Sequence, residues 1–272
     1  MKFAICNEIY EKWSFTETCK AIRKAGFSGI EIAPFTLSDN PAAIPAESRR
    51  EYRDIIHSEG LHFVGLHWLM AAPKGLHVTT PDAGLRAKSW RHIDDLVDLC
   101  ADLGPDGVMV FGSPQQRGTT AGSTPAEATR RFIDGLESIS SHALERGVTV
   151  LVEALPKNQC DVILTLAEAA EIVREIGSPA IQTMFDTHNA VDEVEPHDTL
   201  IDRYFKIIRH VHVNEVDGGH PGSGAYDFRP VLKMLMKRGY ERWVSVEAFL
   251  FGPGGVKIGT ESYRFVQTQA LT

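Results

Sequence analysis

Short, continuous apolar runs recur along the chain, with amphipathic stretches between them. The runs begin near residues 2, 29, 62, 107, 148, 181, 209 and 243. Their mean step of roughly 34 residues is about what one strand, one crossover helix and two loops require. Eight such units in series predict an α/β fold closed into a single (β/α)8 TIM barrel. The runs are unbroken rather than alternating, as in Val148-Thr149-Val150-Leu151-Val152, which is how strands covered on both faces read.

The stretches between the runs carry helix punctuation. Thr124-Pro125-Ala126-Glu127 is a capping box with Pro at the first helical position, and Ser14 to Glu17 and Thr165 to Glu168 repeat the box. Gly26, Gly60, Gly147, Gly177 and Gly239 fall where a left-handed residue ends a helix and the next strand begins. No linker or low-complexity block separates the units, so one domain is expected over residues 1–272. An open, doubly wound sheet is the alternative. It is disfavoured because Asn7-Glu8-Ile9-Tyr10-Glu11, and not a G-x-G-x-x-G loop, follows the first run.

Composition narrows the function classes. With 43% hydrophobic and 24% charged residues the 272-residue chain can build a globular core, which excludes a disordered one. Lys and Arg number 28 against 36 Asp and Glu, a formal charge of −8 that repels nucleic-acid phosphates. Met1-Lys2 leads straight into Phe3-Ala4-Ile5-Cys6, without the pattern of a signal segment or a bilayer span, so a cytoplasmic protein without membrane contact is expected. Cys6, Cys19, Cys100 and Cys160 form no C-x-x-C pair and read as buried small hydrophobes.

In a βα barrel the chemistry sits at the C-terminal strand ends, so the polar residues closing each run are the candidates. They are Glu31 after the second run, His67 after the third, Glu153 after the fifth, Asp186 with His188 after the sixth, His212 with Asn214 and Glu215 on the seventh, and Glu247 on the eighth. Glu153, Asp186, His212 and Glu247 lie on four consecutive strands at nearly the same height. Strands about 4.8 Å apart let the four side chains converge. Three carboxylates in a dry barrel mouth would repel one another unless a cation held them, so this set predicts a site for one divalent metal ion. Oxygen-rich donors with a single nitrogen favour Mn2+ or Mg2+, while Co2+ and catalytic Zn2+ are compatible with the same set. Glu31 and His67 are expected either to touch substrate or to orient a ligand. His210 lies on the same face as His212, and His62 reads as structural. His57, His77, His92, His142 and His197 fall on helices or loops and read as solvated.

The run Leu151-Val152-Glu153, then Phe185-Asp186-Thr187-His188, then His210-Val211-His212 with Pro221-Gly222-Ser223-Gly224, then Val246-Glu247, resembles the xylose isomerase-like TIM-barrel family. Within it the likeness is to the sugar isomerases and epimerases of the ketose 3-epimerase and hydroxypyruvate isomerase branch. The resemblance implies that Glu153 and Glu247 are metal ligands that also act as the acid/base pair on opposite faces of a ketose. Taking a proton α to a carbonyl requires stabilisation of the enediolate, which a Lewis acid supplies; returning the proton from the opposite face is epimerisation.

Three departures from the branch affect the substrate contacts. The family's His three residues after the sixth-strand Asp is Asn189 here, with His188 one place earlier. Gly218-Gly219-His220 stands where the epimerases carry an Arg, and Gln159 stands where they carry a further Glu. Candidate substrate contacts are therefore His188, Asn189, His67, Glu31, His220, Lys157 and Asn158. A pocket without the Arg, walled by Trp68, Phe249 and Phe251, suits an uncharged ketose or a larger keto-sugar derivative. The expected partner is thus a small carbohydrate, and the chain could assemble as a homo-oligomer. The alternatives are a metal-dependent keto-inositol or keto-sugar dehydratase or lyase, a nuclease resembling endonuclease IV, and a sugar-binding barrel without turnover. The glycine-rich stretches 218–224 and 252–255, with Lys257 nearby, offer a second reading as a phosphate site. The segment Gly112 to Thr124, with Arg117, reads as a long mobile loop placed to act as a lid.

Overall fold

A computed structural model describes residues 1–271. Eight parallel strands close on themselves: β1 (Lys2–Cys6), β2 (Gly29–Ile32), β3 (His62–Leu66), β4 (Val108–Phe111), β5 (Thr149–Val152), β6 (Ile181–Asp186), β7 (Ile208–Val213) and β8 (Trp243–Val246). Each begins within one residue of its apolar run. Closure is made by β8 pairing with β1, Val244 against Phe3. The helices α1 (Phe15–Ala25), α2 (Ala46–Ser58), α3 (Ala83–Leu103), α4 (Pro114–Arg117), α5 (Pro125–Glu145), α6 (Leu166–Ile176), α7 (His197–Tyr204), α8 (Arg229–Lys237) and α9 (Gly255–Leu271) follow in βα order. This is the (β/α)8 barrel that the pattern predicts.

Local signals account for most helix ends. Full capping boxes start α1 at Ser14 and α5 at Thr124. At α6, Thr165 accepts from the Glu168 amide, but the Glu168 carboxylate takes the amide of Leu164 instead of the cap residue's own. The five glycines read as unit boundaries all have positive φ, where a side chain would be strained.

The main core lies between strands and helices, with Ile5, Phe27, Ile30, Leu66, Phe111, Phe132 and Leu232 among its buried members. Each such side chain contributes roughly 1.5–3 kcal/mol on burial. A second, smaller cluster of Val110, Leu151 and Met184, with Val108 against it, gathers on β4, β5 and β6. Across the barrel, Glu31 of β2 meets His210 and His212 of β7, strands that are not neighbours, so these bonds cross the barrel interior. The interior is therefore half apolar and half a hydrogen-bonded polar core. That division matters because an unpaired polar group at this depth would cost about 1–3 kcal/mol.

Two register shifts set the alignment of the mouth. Between β6 and β7 the partners run Thr183 with Ile208, then Met184 with His210, so β7 carries one extra residue and Asp186 comes opposite His212. A similar shift in β3 brings Glu31 opposite Gly65.

Some sequence readings change here. His92, expected in solvent, is buried, and its Nε2 lies 3.0 Å from the Leu69 carbonyl, anchoring the segment after β3 to α3. The segment after β4 is no free flap: α4 ends in a fully buried Arg117, and Thr119 is bound through its amide and hydroxyl to Asp161. All four cysteines are free and buried, as expected. No helix among the described residues is long and apolar enough to cross a membrane.

Candidate active site at the C-terminal end of the barrel

A cavity of about 260 Å3 opens at the C-terminal strand ends, lined by Glu153, Glu247, His67, Asn189, Gln159 and His188 together with the apolar Trp68, Leu155 and Phe249. Glu153, Asp186, His212 and Glu247 are each at least nine-tenths buried there. One donor atom from each of Glu153, Asp186 and His212 lies within 4.8 Å of the others, and Glu247 Oε2 is 3.1 Å from His212 Nδ1. Asp186 Oδ2 is 3.6 Å from the same nitrogen. Three of the predicted four thus share one donor cluster, and Glu247 adjoins it at His212 while also lying in a cluster with Cys6, Glu8 and His67.

Second partners aim these side chains. The Nε2–H of His212 donates to Glu31 Oε1 at 2.9 Å, which turns Nδ1 toward Asp186 and Glu247. His210 donates to the other Glu31 oxygen at 2.7 Å. Burial disfavours the Glu31 charge, but His212 and His210 outweigh it and hold the carboxyl well below its usual range. Asn189 ties two carboxylates together, its amide nitrogen Nδ2 donating to Glu153 Oε1 at 2.9 Å and its backbone N–H to Asp186 Oδ1 at 2.8 Å. Asn214 donates to Asp186 Oδ2 at 3.4 Å. Gly112 leaves room for Glu153: a Cβ there would stand 2.1 Å from Glu153 Oε2.

Burial and the neighbouring Asp186 and Glu247 push the Glu153 carboxyl up. Burial also raises Glu247, with His212 pulling the other way. A donor set of three crowded carboxylates and one imidazole with its Nδ1 turned inward fits a divalent cation, which would relieve that repulsion.

His67 lines the cavity. Its Nε2–H donates to Glu8 Oε2 at 2.8 Å, and its Nδ1 is 3.6 Å from Glu31 Oε1. Burial opposes the charge on the ring, but Glu8 beside it outweighs burial and the pKa is pushed up to about 9. Glu8, on the turn after β1, was not among the predicted residues. Its signal was there: it is the acidic residue just past the first apolar run, as Glu153 and Glu247 are at theirs.

His188 and Asn189 both line the cavity. His188 donates from Nδ1 to the Val216 carbonyl at 2.7 Å, leaving Nε2 to accept from Gln159 at 3.2 Å. Four predicted substrate contacts do not reach the cavity. Glu31 lies beneath it, fully buried by its two histidines. His220 turns away to Glu261 of α9, 3.2 Å from its Nε2. Lys157 and Asn158 are exposed on the loop after β5, where the Lys157 amide donates to Asp192. Phe251 packs against the core instead of walling the mouth. The glycine-rich loop after β7 is closed on its own carboxylates: Gly222 and Tyr226 donate their amides to Glu215, and Gly219 donates to Asp217.

The model of the xylose isomerase-like TIM barrel matches residues 19–265. A D-psicose 3-epimerase of Agrobacterium fabrum is 23% identical, covering 92% of this chain and 86% of its own. A 3-dehydro-D-guloside 4-epimerase of Escherichia coli K12 is 24% identical, covering 91% and 92%. Among solved structures, apo 3-keto-D-glucoside 4-epimerase from E. coli superposes with a TM-score of 0.84 at 19% identity, covering 98% of this chain and 99% of that one.

Proposed function

Because the chain belongs to the xylose isomerase-like TIM-barrel family, we propose that its barrel mouth is the active site of a metal-dependent sugar isomerase or epimerase acting on an unphosphorylated keto-sugar. The observation that carries this reading is the pair of buried carboxyls, Glu153 from β5 and Glu247 from β8, flanking the Asp186–His212 pair below a sugar-sized cavity. Glu153, Asp186, His212 and Glu247 hold one divalent ion, for which Mn2+ or Mg2+ suit the oxygen-rich donors. That ion supplies Lewis-acid stabilisation of the negative charge that develops when a proton leaves the carbon beside a carbonyl.

The chain's own residues handle the proton. One of Glu153 and Glu247 accepts it from the α carbon, and the other returns it from the opposite face of the substrate. Without the ion, burial raises both carboxyls, and a bound divalent cation would favour their deprotonated, proton-accepting forms. Asn189 keeps Glu153 aimed, and His188, held through one ring nitrogen by Val216 and through the other by Gln159, stands beside Gln159 on the cavity wall, where the two would meet substrate hydroxyls. The absence of Lys and Arg among the residues lining the cavity supports an uncharged substrate.

The test is incubation with free ketoses in D2O and Mn2+, followed by NMR. Deuterium entering beside the carbonyl together with a new epimer or isomer is the expected result. No exchange across the panel would overturn the reading, and water loss to an ultraviolet-absorbing enone would reassign the site to a dehydratase.

A further inference from the structure

The barrel has a second opening, at the N-terminal ends of its strands. A cavity of about 610 Å3 lies there, more than twice the volume of the one at the C-terminal ends and sharing no lining residue with it. His210, only 1% exposed, lines this cavity and gives its Nε2–H to Glu31, so the Glu31 carboxylate stands between the cavity and His212. Among the described residues His210 Nδ1 has no hydrogen-bond partner. Gly147 and Gly239, which follow α5 and α8, also line the opening, and a Cβ on either would meet nothing within 4 Å. The mouth is unobstructed.

Its charge is set by the same register shift that aligns the metal ligands. Thr183 pairs with Ile208 and Met184 with His210, so Arg209 is the extra residue of β7. A bulged residue leaves the ladder and its side chain is re-aimed. Arg209 lines the cavity with Arg242, which precedes β8, and with Lys2 of β1, whose ammonium lies over the Trp243 ring at 4.7 Å. Asp106 and Glu241 line it too, yet among the described residues neither guanidinium has a carboxylate or hydrogen-bond partner. Burial disfavours the charge on Arg209, and Arg242 beside it adds to the penalty. Two like charges at one cavity, in a chain of formal charge −8, are reconciled by an anion that joins them.

The chemistry of that anion follows from the count. A phosphate monoester brings a charge of about −1.5 to −2 and oxygens that fit two guanidinium forks, whereas a carboxylate brings one charge. The volume lies within the roughly 300–1,000 Å3 that small-molecule sites span, so there is room for more than the phosphate. Phe205, Pro179 and Trp243 supply apolar wall for the rest of the molecule. We propose that this cavity is a binding site for a small organic phosphate, with Arg209 and Arg242 holding the phosphate and the remainder lying inward toward Trp243 and His210. The site is separate from the reacting centre and does not depend on the reaction assigned there.

The test is calorimetric titration of the Mg2+-loaded chain at low ionic strength with glucose 6-phosphate and, separately, with inorganic phosphate. Glucose 6-phosphate is expected to bind one to one, and about threefold or more tighter than inorganic phosphate because the walls hold its ring. Arg209→Gln and, separately, Arg242→Gln are each expected to weaken it about tenfold or more, as loss of a charge-assisted bond does. Their Tm should be no lower than that of the wild type, since each removes a repelling neighbour; a merely structural role would lower it. Lys257→Gln, at the start of α9 near the other end of the barrel, is expected to bind as the wild type does. No saturable binding, equal affinity for the two phosphates, wild-type affinity in both Arg variants, or loss in Lys257→Gln alone would overturn the site. None of these outcomes touches the proton-transfer reading.

Discussion

Arg117 donates from one guanidinium nitrogen to the backbone carbonyl of Glu153 at 2.8 Å and from the same nitrogen to that of Phe111, also at 2.8 Å. A buried cation without a carboxylate partner thus clasps the ends of β5 and β4, directly behind the side chain assigned to proton transfer. Its second terminal nitrogen reaches the Val162 carbonyl at 3.4 Å. Replacing Arg117 with Met keeps the bulk and strands these carbonyls, each costing about 1–3 kcal/mol when buried and unpaired. Chemical denaturation should register a loss of at least about 3 kcal/mol, and Arg117→Lys a smaller one. A Met variant as stable as the wild type would contradict the role.

Glu31→Gln is expected to leave the barrel folded, because the amide has the carboxylate's shape. It removes the charge that holds the Nε2–H of His212, and losing such an outer partner typically weakens a metal site 10–100-fold. Titration of the metal-free protein with Mn2+ measures this directly. Unchanged affinity would mean that Glu31 serves packing alone.

Rising pH should destabilise the metal-free protein. Glu153 and Glu247 are raised by burial, and His67 is raised to about 9 because Glu8 outweighs the burial that opposes its charge. A group whose pKa is higher in the folded chain contributes stability below its unfolded value, and that stability is lost as pH climbs through the folded value. The Tm without metal should therefore fall between pH 6 and pH 9. The rise in Tm on adding Mn2+ should grow over the same interval, since the ion binds the deprotonated carboxylates. A metal-free Tm independent of pH in that window would contradict the shifts.

Glu153→Gln and Glu247→Gln are each expected to stop turnover. Both substitutions also weaken the ion, so exchange must be read on metal-loaded protein. Wild-type rates of solvent deuterium exchange in both variants would show that neither carboxyl moves the proton.

Matched free and phosphorylated ketoses should differ in favour of the free sugar. In the glycine-rich loop after β7 the Gly222 and Gly219 amides are committed to the Glu215 and Asp217 carboxylates, and Lys257 lies exposed with Glu261 as its neighbour. A tenfold higher kcat/KM for the phosphorylated partner, about 1.4 kcal/mol, would restore the phosphate reading of those loops.

Much of this molecule is written in short-range pattern. Strand starts fall within one residue of the apolar runs, and Glu153, Asp186, His212 and Glu247 stand where those runs end, because backbone pairing and burial impose periodicities visible over five or six residues. What tertiary structure alone decided is which side chains meet across the closed barrel. Glu31 reaches His212 over a separation of 181 residues, and Asp186 faces His212 only because β7 carries one extra residue. His220 and Lys157 have the right chemistry in the right loops, yet one turns to Glu261 and the other stays exposed. Trp68 is held over the mouth by a left-handed backbone while Leu69 and Met70 fill the core beside it. Such outcomes depend on register, closure and competition for partners, and these energies belong to contacts between distant segments, which no local window of the sequence contains.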